Sequence, residues 1–174
     1  MGSMARALLM LSATSLLAFT VTFVLGILSG LGVITFRHFL LAIPVTLLVT
    51  FTHAMTMFYL IGIGTRIKDV LTETGVTGDY RAEIRALHND LFGPATFAIL
   101  ATIATFVLGG GAATRTQNPL IHGGVALVAL ILNGWAVFMT FDTILRTADL
   151  LDRLGQDIDE LGLSGPGSEV PHVS

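Results

Sequence analysis

The chain has 174 residues, 53% of them hydrophobic and 12% charged, with a formal net charge of −3 and no cysteine. Soluble domains carry roughly 25% charged residues, so this composition excludes an ordinary soluble enzyme and a largely disordered chain. With no basic excess to neutralise phosphates, a nucleic-acid binder is excluded. The missing cysteines exclude disulfides, thiolate zinc sites, iron–sulfur clusters and cysteine nucleophiles.

The charges are unevenly placed. No Asp, Glu, Lys or Arg occurs between Arg6 and Arg37, Arg37 and Arg66, Asp90 and Arg115, or Arg115 and Asp142. A membrane-spanning helix needs about 20 apolar residues, and the runs lack the alternation of a barrel strand. The expected fold is an all-α integral membrane protein, a four-transmembrane-helix bundle with spans at about 7–29, 39–64, 90–109 and 122–145. The first run is longer than the apolar core of a signal peptide and no small-residue cleavage site follows it, so it reads as a span.

Taken in order, the second and third spans are joined by a hairpin over 65–89. Gly75–Val76–Thr77–Gly78 marks its turn, and Asp79 stands where an N-cap is expected. Pro44 and Pro94 fall early in their spans, where a helix tolerates them with a kink. Gly109 to Pro119 reads as a flexible loop without a phosphate-binding pattern. After the fourth span, Ile144, Ala148, Leu151, Leu154, Ile158 and Leu161 recur every three or four residues. They predict an amphipathic extension over 146–163 that packs on the hairpin or on another copy. Residues 164–174 read as a disordered tail, His172 among them.

Lysine and arginine set the orientation. Arg6, Arg66, Lys68, Arg81, Arg85, Arg146 and Arg153 fall on one side and Arg37 and Arg115 on the other. Both termini and the hairpin are therefore expected in the cytoplasm.

Polar residues inside spans point to function. Thr46, Thr50, His53, Met57 and Gly64 share one stripe. His122, Ala126, Ala129, Asn133, Ala136 and Thr140 share another. Ala95, Ala98, Thr102 and Thr105 line the third span, and Ser12, Ser15, Thr22, Gly26 and Gly30 the first. Most of these are the packing seam of a bundle, where small residues let helices approach. The histidines carry more chemistry. His38 and His53 are 15 residues apart, about 22 Å and near four turns, on one helix face. This spacing is similar to the paired ligands of two-haem b-type cytochromes, a resemblance limited to these two residues.

Geometry refines that expectation. His38 and His122 both open their spans at the outer surface and can lie level as a ligand pair. His53 and His88 cannot, because antiparallel counting sets them about 12 residues, or 18 Å, apart in height. His53 would instead need a partner on the fourth span near Val137, where Met139 is the nearest ligand type. The candidate cofactor ligands for a haem b are thus His53, His38, His122 and Met139. Copper at His53, Met55 and Met57 is disfavoured because the three do not share a helix face. A metal at His88, Asp90 and Asp142 is less expected than an ion pair of Asp142 with Arg66 or Arg146.

Two functions follow. One is a redox subunit whose b-type haem passes electrons between a quinone-level donor and a partner. The other is a non-catalytic accessory or scaffold subunit, bound through its cytoplasmic helices to a partner. In either case the expected surroundings are the lipid bilayer and a homo-oligomer or larger membrane complex.

Overall fold

The computed structural model describes residues 2–33, 38–114, 116 and 118–162, the Ala113 side chain apart. Arg37, Arg115 and the tail at 164–174 lie outside the described residues. Four helices account for nearly all of the rest: α1 Ser3–Gly30, α2 Phe39–Thr74, α3 Tyr80–Ala113 and α4 Pro119–Glu160. All four are long and apolar enough to cross a membrane.

Each helix packs on its chain neighbours and α4 closes against α1, while α2 and α4 touch only slightly across the diagonal. The order is up-down-up-down, the arrangement short connections favour. At about 1.5 Å per residue, α2 rises about 54 Å and α4 about 63 Å, well beyond the roughly 30 Å of a hydrocarbon core. The surplus lies at the end holding the α2–α3 turn, here the hairpin end; the opposite end is the distal end.

Local chemistry fixes the helix ends. Gly75 takes a left-handed conformation (φ 69°) and its N–H donates to the Leu71 carbonyl, a role glycine fills without a Cβ clash. Asp79 holds the N-cap position of α3, but its side chain makes no capping bond. At α4, Asn118 Oδ1 accepts from Leu120 N–H at 2.9 Å, and Pro119 occupies the first turn, where its missing N–H costs nothing. The sequence reading ends the third helix at Gly109. The structure carries α3 through Gly109–Gly110–Gly111 to Ala113, since glycine is tolerated in helices that cross a membrane.

Two kinds of interior alternate along the axis. The hairpin end has an aliphatic core of Ile63, Ile67 and Leu71 from α2, Tyr80, Ile84 and Leu87 from α3, and Leu150, Leu154 and Ile158 from α4. The extension of α4 therefore packs on the hairpin. Its buried stripe runs through Leu150 while Leu161 stays exposed, because the helix faces two neighbours and not one seam. Arg146 bridges Asp90 and Asp142 at 3.2 and 3.3 Å, and Arg153 pairs with Glu83. These pairs are exposed and add little stability; the two that cross from α3 to α4 favour one register between those helices.

Toward the distal end the pattern inverts. Many buried residues there are small or polar, Ser12, Ser15, Thr52, Thr56, Ala95, Ala98, Thr102, Ala129, Asn133, Ala136 and Thr140, and they are interleaved with Phe19, Val45 and Val49. Other large apolar residues face outward, among them Leu17, Leu47, Phe51, Phe58, Phe97, Leu100, Ile131, Trp135 and Phe138. Small residues inside let backbones approach, and outward aromatics suit a lipid solvent.

Candidate functional site

The distal end brings His38 and His122 together. Their ring centroids are 6.3 Å apart and the rings incline by 27°. His38 precedes the first turn of α2 and His122 sits in the first turn of α4, so the start of each diagonal helix supplies one imidazole. The flanking helices supply glycine. A Cβ on Gly26 of α1 would lie 3.5 Å from His38 Cδ2, an ordinary contact. A Cβ on Gly109 of α3 would lie 3.0 Å from His122 Cε1, so glycine there is what lets the ring seat so closely. His122 Nδ1 is buried without a hydrogen-bond partner among the described residues.

His53 lies in the middle of the bundle, 1% exposed. Its Nε2 is 3.0 Å from Asn133 Oδ1. Asn133 Nδ2 donates to Thr102 Oγ1 at 2.9 Å and to the Ala129 carbonyl at 2.8 Å. One network thus joins α2, α3 and α4. His53 is level with Asn133, one turn nearer the distal end than the counting to Val137 placed it. Met139 lies six residues past Asn133, about 9 Å further along α4, and packs against Leu60, Leu91 and Ala95. The structure does not bring His53 and Met139 together.

His88 behaves as a packing residue. Its Nε2 donates to the Leu60 carbonyl at 2.9 Å and its ring stacks on Phe92, with centroids 5.4 Å apart. The ring sits where a Cβ on Gly64 would be, 2.8 Å from Cε1. This seat, 11 residues from His53 along α2, agrees with the separation of about 12 that antiparallel counting gives; the glycine is the signal for it. Met55 packs with Ala5, Leu8 and Ile144, whereas Met57 packs with Leu60 and Leu91, so His53, Met55 and Met57 diverge. Asp142 is held by Arg146. No group of three or more His, Asp or Glu among the described residues could hold a metal ion.

No protein-family model, curated protein or solved structure matches this chain.

Proposed function

We propose that this is a membrane-spanning redox subunit that binds a b-type haem at its distal end, between His38 and His122. The observation that carries this reading is the ring pair. An iron–imidazole bond of about 2 Å, plus roughly 1 Å from nitrogen to ring centre, sets two axial imidazoles about 6 Å apart, centre to centre. The pair at 6.3 Å has that spacing; its rings are stacked, and each would turn about its Cβ–Cγ bond to aim a nitrogen at a metal between them. The origin of the two rings on diagonal helices and the glycines beside them support the same reading. When bound, the group would supply reversible one-electron transfer. The chain's part would be two imidazoles, the glycines beside them and apolar surroundings. Both termini and the hairpin face the cytoplasm in this reading, which the seven-to-two distribution of cations supports.

The test is an optical spectrum of protein expressed with haem available and purified in detergent, oxidised and then reduced. The expected result is a Soret band with a sharp reduced α-band, lost in His38→Ala and in His122→Ala but kept in His53→Ala and Met139→Leu. A colourless protein without bound iron would overturn the reading. It would leave an accessory subunit that meets its partner through the charged outer sides of the cytoplasmic helices.

A further inference from the structure

Asn133 determines more about His53 than its position. The Ala129 carbonyl can only accept, so the Asn133 atom facing it is the amide nitrogen, and the atom facing His53 is the oxygen. An oxygen acceptor requires that His53 Nε2 carry the proton. In the neutral ring Nδ1 is then bare, a basic lone pair with nothing attached. It is buried and has no partner among the described residues.

Two other groups nearby share that condition. Thr50 precedes His53 by three residues and so lies on the same face of α2; its Oγ1 is buried and unpartnered. Ser12 on α1 is fully buried and its Oγ is also unpartnered. Its height follows from its neighbours: Leu8 lies in one cluster with Met55, and Phe19 in another with Val49. Ser12 therefore falls within about one turn of His53. No Asp, Glu, Lys or Arg lies in this layer, so the lone pair has no charged partner to take it up.

We propose that this layer holds one internal water molecule that donates a hydrogen bond to His53 Nδ1 and engages the hydroxyls of Thr50 and Ser12. Buried waters typically make about three hydrogen bonds to groups that would otherwise go without, and here a bare acceptor and two hydroxyls supply that number. The water gives a base in the middle of an apolar span a partner with which to exchange protons. This inference is independent of haem binding, because it concerns the opposite nitrogen of a different histidine.

Nitrogen NMR of 15N-histidine-labelled protein in lipid nanodiscs tests it, with His53 assigned by the signal missing in His53→Gln. The expected result has three parts: a proton on Nε2, an Nδ1 resonance displaced from the free-acceptor position, and magnetisation transfer from water to the ring. In Thr50→Val, which removes one of the water's three partners, the Nδ1 displacement and the transfer from water should weaken together. A proton on Nδ1, or an undisplaced Nδ1 with no transfer from water, would overturn the proposal. So would a displacement without transfer from water that vanishes in Thr50→Val, since the threonine hydroxyl would then be donating directly. If that variant fails to fold, the wild-type spectrum alone still decides the tautomer and the water contact.

Discussion

Single side chains here are fixed by contacts that span helices, and this makes their substitution costs specific. A Cβ on Gly64 meets a ring anchored at both ends, by the Leu60 carbonyl and by Phe92. Gly64→Ala should therefore cost about 1–3 kcal/mol through overpacking. In a His88→Ala background the same change should be neutral or slightly stabilising, since alanine is the better helix former. Reversible unfolding in mixed detergent measures both; an equal cost in the two backgrounds would show that the ring is not the cause. Asn133→Leu removes both bonds donated by the amide and strands His53 Nε2–H. Interhelical hydrogen bonds in membrane bundles average ~0.6 kcal/mol, but a stranded buried donor raises the loss to about 1–3 kcal/mol. The same unfolding assay should resolve it. At this scale the sequence was legible in kind: His53, Asn133 and Thr102 stood out as polar groups in apolar runs. Their mutual bonding was not, because it depends on a one-turn offset between α2 and α4 that periodicity does not encode.

Among the elements, the hairpin-end core is where sequence pattern and structure agree most closely, since an amphipathic stripe has one apolar side to bury. The stripe did not distinguish Leu161 from Leu154, as both keep the spacing. Leu154 is buried against the hairpin and Leu161 is 59% exposed. Leu154→Asp places an unpaired charge in an aliphatic core, a loss of about 3 kcal/mol or more, and should release the last turns of α4. Leu161→Asp should leave them folded. Hydrogen exchange of the amides over 147–160 would separate the two. Tyr80 ties the same elements: its hydroxyl donates to Asp157. Burial first, then that bond and the negative charge of Asp157, push its pKa from 10.0 up to about 12. A raised folded-state pKa means that stability is fully present below pH 10 and is lost as pH rises from about 10 toward 12. In a Tyr59→Phe background, phenolate absorbance should report a midpoint near 12 for Tyr80. A midpoint near 10 would mean that neither the burial of Tyr80 nor its Asp157 contact is held in solution. The Gly109–Gly111 run failed to read as helix for a converse reason. Glycine propensity describes water-exposed helices, whereas here the missing side chain is what admits the His122 ring.

For the whole molecule, the distribution of side chains is the argument. A chain that buries Ser, Thr and Asn among its core residues and turns Phe58, Phe97, Trp135 and Phe138 outward suits an apolar solvent. With four helices long and apolar enough to cross a membrane, that distribution supports the proposal that the distal part of the bundle sits in a bilayer and the salt-bridged hairpin end outside it. The direction of insertion proposed above rests on Lys and Arg, because cytoplasmic loops retain cations. The chain lacks cysteine, so single-cysteine reporters need no background removal. In intact cells Asn118→Cys should react with a membrane-impermeant maleimide, while Gly2→Cys and Gly78→Cys should react only after lysis. Gly78 is a demanding reporter, since a side chain there meets the Tyr80 ring at 2.8 Å; Thr77→Cys is the gentler choice in the same turn. Labelling of the turn from outside, with Asn118 protected, would reverse the orientation and put the His38–His122 pair on the cytoplasmic face. Labelling of both in intact cells would mean that the helices do not cross the bilayer, and the membrane reading, with the haem proposal set inside it, would fall together.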